Sequence, residues 1–96
     1  MKKLGLILAA LLFISATTDK ITDCMYNGKK LYGRVKVVSA HADFRVEVVD
    51  VGEDLRVRRV NGIASACGEW EFTDGIADFT IEYVTVGSDF RIRFVD

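Results

Sequence analysis

The residues with chemistry to offer are few. The single histidine, His41, has Ser39 and Asp43 close by in sequence. A Ser–His–Asp relay needs three groups brought together so that the acid orients the base. Neighbours within one short connector rarely reach that geometry, so His41 is expected as a surface histidine. Two cysteines and one histidine also fall short of a structural zinc site. Aspartates recur at Asp43, Asp50, Asp54, Asp74, Asp78 and Asp89. Calcium takes about six to eight oxygens at defined spacing, and each connector here offers only one or two. The expected role of these aspartates is to accept backbone N–H bonds within their own turns. Glu69 and Glu71 share a strand face with nothing around them to make a cleft. Gly52, Gly62, Gly75 and Gly87 recur in turns without forming a phosphate loop. The expectation is no catalytic site, no metal, no cofactor and no enzyme activity.

Cys24 and Cys67 read differently because of what precedes them. Lys2 and Lys3 followed by the apolar run Leu4 to Ile14 and the small residues Ser15 to Thr17 have the pattern of a secretory leader over residues 1–16. The run is short for a membrane span, which takes roughly 20 apolar residues. The protein is therefore expected in the periplasm or secreted, with no membrane association beyond the export signal. An even cysteine count in an exported chain points to a Cys24–Cys67 disulfide. Loss of the leader leaves 11 basic against 14 acidic residues, a net charge of −3. That gives no overall attraction to nucleic acid.

The elements that position these residues repeat. Segments starting at Asp43, Asp54, Asp78 and Asp89 read DFRVEVVDVGE, DLRVRRVNGIA, DFTIEYVTVGS and DFRIRFVD. The period is 11 residues, except that SACGEWEFTDGIA (65–77) carries two extra. With GRVKVVSAHA from Gly33 there are six units. Inside each unit apolar residues alternate: Phe44, Val46, Val48; Leu55, Val57; Trp70, Phe72; Phe79, Ile81, Tyr83; Phe90, Ile92, Phe94. Period two over β-branched and aromatic residues predicts strands with one buried face. Trp70 falls on that face and is expected in the core. The connectors are short and carry Gly, Asn, Asp and Ser. Parallel neighbours usually need crossovers of about a dozen residues. The prediction is an all-β, antiparallel up-and-down meander of about six short strands, as an open sheet or small barrel, preceded by a signal-peptide helix. A narrow β-solenoid is the alternative. The divisions are 1–16 leader, 17–32 N-terminal segment with Cys24, and 33–96 β-repeat domain.

The opposite faces are charged. In a meander Arg56 and Arg58 face Glu69 and Glu71, and Glu82 meets an arginine of the last strand. Closing the sheet would set Arg91 and Arg93 beside Arg34 and Lys36, an unfavourable like-charge contact. These four residues are therefore expected either to keep the sheet open or to form a basic face for a partner.

The segments WEFTDGIADFTIEYV and SDFRIRFVD resemble a family of small exported bacterial proteins that repeat the 11-residue unit A-D-[LF]-x-[IV]-x-[YF]-V-D-x-x around a tryptophan-bearing irregular unit. The resemblance covers Gly33 to Asp96. Glycine stands in the connectors here where that family often has Ser and Glu. The resemblance implies no activity and carries over no site residues. The function expected is non-enzymatic binding of an unidentified protein partner, as an inhibitor or immunity-type protein, or else a structural envelope or secreted module. The sequence leaves the oligomeric state open.

Overall fold

A computed structural model describes residues 20–96. The predicted leader, and with it the signal-peptide helix, lies outside the described residues. Among those described there are strands and no helix. β1 (Met25–Tyr26) and β2 (Lys29–Lys30) form a small antiparallel hairpin. Six further strands follow: β3 (Gly33–Val37), β4 (Phe44–Val48), β5 (Leu55–Arg59), β6 (Glu69–Phe72), β7 (Phe79–Tyr83) and β8 (Phe90–Val95). These six are the strands that the alternation predicts.

Their arrangement corrects the meander. The six strands close into a barrel in the order β3-β6-β5-β8-β4-β7, and every barrel pair is parallel. The reach limit on antiparallel and parallel neighbours assumed that consecutive strands pair. Here four of the five links join strands that lie two places apart around the ring. Val37, which ends β3, and Phe44, which starts β4, both stand in register with Ile81 of β7. Val48 and Leu55 likewise flank Ile92, Phe72 and Phe79 flank Val35, and Tyr83 and Phe90 flank Val46. Each such link spans two strand spacings, roughly 10 Å, with no need to run back. For every parallel pair but β5–β6 the crossover is supplied by the intervening strands themselves, and β5–β6 has the longer link 60–68. The solenoid alternative does not form either: its repeats would stack each on its sequence neighbour, whereas here only β5 and β6 do so, and the ring is closed.

Stagger makes this work. Each strand gives its first half to one neighbour and its second half to another, as when Gly33–Val35 pair with β6 and Val35–Val37 with β7. Followed once around the ring, the register advances about twelve residues. That is roughly 40 Å of strand over a girth of roughly 29 Å, a tilt of roughly 54°, steeper than the usual 35–45°. Strands so tilted run more around the barrel than along it. The end of one is therefore level with the start of the next.

The same register sorts the inward residues into three tiers of six. The lower tier holds Gly33, Phe44, Leu55, Gly68, Phe79 and Phe90, with Gly68 immediately before β6. The middle tier holds Val35, Val46, Val57, Trp70, Ile81 and Ile92, all fully buried. The upper tier holds Val37, Val48, Arg59, Phe72, Tyr83 and Phe94. Trp70 lies in the core, as its place in the alternation predicts.

The N-terminal segment plugs the lower end. Leu31 is fully buried there. The indole Nε1–H of Trp70 donates to the Leu31 carbonyl at 3.0 Å, and the Gly68 N–H donates to the same oxygen at 3.2 Å. Tyr26 packs on Phe44 and Phe90, with ring centroids 5.7 and 5.4 Å away. The Cys24–Cys67 disulfide, expected from the sequence, ties this plug to the link before β6.

Four of the six recurring aspartates, Asp43, Asp54, Asp78 and Asp89, do not cap their own turns as expected but reach across to a different unit. Asp78, Asp89 and Asp54 place Oδ2 2.8 Å from the backbone N–H of Arg34, Arg45 and Arg91, and Asp43 places its own 2.9 Å from that of Thr80. The N–H groups of Asp78, Asp89 and Asp54 donate in return to the carbonyls of Arg34, Arg45 and Arg91. One carboxylate thus clasps each of the four regular links onto the strand it crosses. Gly33 owes its place to this clasp: its φ is +125°, and a Cβ there would collide with the Asp78 carboxylate.

Candidate functional site at the open mouth of the barrel

The predicted basic face is not assembled as one surface. β3 and β8 stand opposite each other in the ring. Arg34 and Lys36 therefore lie on one side and Arg91 and Arg93 on the other. The like-charge contact feared on closure does not arise, because β8 sits between β5 and β4. Arg91 pairs with Glu47 at 3.3 Å, Arg93 with Glu53 at 3.2 Å and Arg34 with Glu71 at 3.7 Å. Lys36 stands in register with Thr80. The expected Arg58–Glu69 pair forms at 2.7 Å, since β5 and β6 are neighbours. Glu82, expected near β8, is instead in register with Arg45 of β4.

The one like-charge register, Arg56 against Arg93, is bridged by Glu53. Its Oε2 lies 3.2 Å from Arg56 Nε and 3.2 Å from Arg93 Nη2. The hydrogen bond from Arg93, followed by the residue's own backbone N–H and Arg56, holds the Glu53 carboxyl down at about 2. The Glu69 carboxyl is also lowered, first by the N–H groups of Ala66 and Ser65 and then by Arg58. These carboxylates are anchored structural groups. His41 is exposed in the β3–β4 link at φ +60°, and among the described residues no group of three or more His, Cys, Asp or Glu is gathered as a metal site.

The surface feature that stands out is the upper tier. The lower end is closed by Tyr26 and Leu31, whereas among the described residues nothing closes the upper end. Val37, Val48 and Tyr83 point toward the barrel interior yet are 46, 47 and 43% exposed. Phe72 and Phe94 are partly buried beside them, 6.3 Å between ring centroids. Two surface depressions meet this rim. One of about 430 Å³ is lined by Glu47, Val48, Tyr83, Val84 and Thr85. The other, of about 280 Å³, is lined by Val37, Phe72, Thr73 and Asp74.

Arg59 is the only charged side chain in the three tiers. Its guanidinium lies 3.8 Å from the centroid of Phe94 and 5.8 Å from that of Phe72. Among the described residues it is in no ion pair. Burial raises the pKa of the Tyr83 hydroxyl, while the positive charge of Arg59 nearby opposes the rise. The mouth is thus an apolar and aromatic ring carrying one unneutralised cation. Sequence reasoning missed it. The available signal was the Arg58–Arg59 doublet, which puts a charge in an inward slot of the alternation.

Other exposed apolar residues, Val51, Ile63, Ile76 and Val86, sit one to a connector. The links that carry them lie at different places around the ring, so they are scattered around the girth as single residues, which is ordinary for a protein surface.

A family model described as the 7(1) septoil knot domain matches residues 28–96, and the chain belongs to that family. The two interleaved circuits, β3-β4-β5 and β6-β7-β8, give a physical picture of such a winding. No curated protein matches the chain.

Proposed function

We propose that this protein is exported and acts without catalysis, by binding another protein through the open mouth of the barrel. The observation that carries this reading is the contrast between the two ends. The lower tier has a dedicated plug fastened by a disulfide, whereas among the described residues nothing covers the apolar tier at the upper end. A monomeric fold gains by covering such a surface, and contiguous exposed apolar residues mark interaction sites. The disulfide supports export, because such bonds persist in oxidising compartments. An inhibitor or immunity-type role is the specific form of this reading.

The test compares capture by the immobilised, oxidised protein with capture by Val48→Asp and Tyr83→Asp variants, using periplasm or culture medium as the source. Both side chains are already half exposed, so the variants should fold. A partner held by the parent and lost by both variants is the expected result. Equal recovery by all three proteins would sink the mouth as the docking surface. The second reading, a structural module, draws on the clasped and disulfide-tied winding. It predicts normal cell-envelope or matrix properties only when the chain is present, with no mouth-dependent partner.

A further inference from the structure

We propose that the segment docking in the mouth pairs a carboxylate with an apolar side chain, the carboxylate meeting Arg59 and the apolar group seating against Val48 and Tyr83. This rests on the reading of the mouth as a docking surface. The reason is desolvation. Of the seven arginines, five (Arg34, Arg56, Arg58, Arg91 and Arg93) have a glutamate within 4.0 Å; Arg45 and Arg59 do not, and of these two only Arg59 stands in the mouth. Stacking on Phe94 occupies a face of its guanidinium and leaves the N–H groups on its edge to solvent. A partner that covers the upper tier must take that cation out of water. Without an opposing charge the cost exceeds what the apolar contact returns. With a carboxylate, the planar guanidinium offers charge-assisted hydrogen bonds. Arg59 therefore filters partners: it penalises purely apolar surfaces and basic ones, and admits acidic–apolar ones.

The geometry divides the labour. Glu47 lines one rim depression but is already paired with Arg91, and Asp74 lines the other, whereas Arg59 in the tier has no glutamate beside it. A carboxylate of the partner is therefore drawn to the tier, which fixes its register. An anionic lipid surface would offer negative charge without a single defined position.

The test uses a random peptide library displayed on phage, selected on the oxidised protein and on its Arg59→Met and Arg59→Lys variants. Methionine retains an apolar contact with Phe94 and removes the charge. Lysine keeps the charge and loses the planar fork. Selected peptides should carry Asp or Glu within a few residues of an aromatic or aliphatic residue, and should perturb the NMR signals of Val37, Val48 and Tyr83. Their affinity should fall about tenfold or more in Arg59→Met and less in Arg59→Lys. Mouth-binding peptides without an acidic residue, or unaffected by Arg59→Met, would overturn the role of Arg59 and leave the docking surface standing. Peptides that map elsewhere would overturn both. Sedimentation with phosphatidylglycerol vesicles that depends on Arg59, with no peptide selected, would replace the protein partner by a membrane.

Discussion

Two glycines with the same backbone conformation should respond differently to the same substitution. Gly52 and Gly68 both have φ +81°. At Gly52, in the link between β4 and β5, a Cβ would meet nothing within 4 Å. At Gly68 it would press on the backbone carbonyl of Arg56, closer than the 3.0 Å below which something must shift. Alanine at either site incurs the left-handed penalty, about 1–2 kcal/mol. At Gly68 the backbone must also move. That strains the bond from Arg58 N–H to the Gly68 carbonyl (2.8 Å) and the bond from Gly68 N–H to the Leu31 carbonyl (3.2 Å). At about 1 kcal/mol for each hydrogen bond, Gly68→Ala should cost about 3–4 kcal/mol against about 1–2 for Gly52→Ala. With a slope of roughly 1 kcal/mol per M urea for so small a domain, the unfolding midpoints should lie about 2 M apart. The assay is equilibrium urea unfolding of the oxidised proteins, followed by the fluorescence of Trp70, the only tryptophan. If Gly68→Ala is no more destabilised than Gly52→Ala, the packing of β6 against β5 described above is wrong.

Other consequences are equally direct. Asp89→Ala should cost about 1.5–3 kcal/mol, since it orphans the Arg45 N–H, while Asp89→Asn, which retains an acceptor oxygen, should cost markedly less by the same urea assay. Replacing both cysteines by serine releases a loop of 43 residues' separation and should lower stability by up to about 4 kcal/mol, with amide exchange at Leu31 rising first. Glu53 has a folded-state pKa of about 2, below its ordinary 4.5, so the unfolded chain binds its proton first as pH falls. Its contribution is present above pH 4.5 and disappears between pH 4.5 and 2. Glu53→Gln should therefore flatten the loss of thermal stability across that window, and a parallel decline in both proteins would refute the Arg56–Glu53–Arg93 bridge.

The alternation of Phe44, Val46 and Val48, and its counterparts in the other units, made the strands and their buried faces legible, and the placement of Trp70 with them. Strand direction was not legible, because period two reports which face is wet and says nothing of which unit lies alongside. The aspartates show the same limit. Asp89 recurs for a reason the repeat announces, but its acceptor role lies across the ring at Arg45, where sequence proximity cannot lead. The basic face failed because Arg34 and Arg91 were placed as neighbours by an assumed strand order. The mouth was overlooked because the inward list for β5 ended at Val57. Arg59 occupies the next inward slot, and a charge there is the kind of local contradiction that marks a working surface.

The two extra residues of the irregular unit have a topological cause. A chain that advances two places at each step around a ring of six visits only three of them before meeting its own start. β3, β4 and β5 take alternate places in this way, and so do β6, β7 and β8. Passing from one set to the other demands one odd step, and β5 to β6 is that step, between adjacent strands. It cannot be made by a link of the regular kind. Arg59 is in register with Trp70, so the lower-tier position at Gly68 lies two residues behind it, and the chain must double back. The longer link at 60–68 does so through a tight turn. There the Glu69 N–H donates to the Ala66 carbonyl, and the Glu69 carboxylate accepts the N–H groups of Ser65 and Ala66. Cys67 sits in this link, and the disulfide fastens the plug where the winding changes parity. The irregular unit is thus what lets a second circuit enter the gaps left by the first, and the lower end is sealed at that point. Among the described residues the upper end has no corresponding irregular link and no plug, which leaves its tier, with Arg59 in it, facing outward.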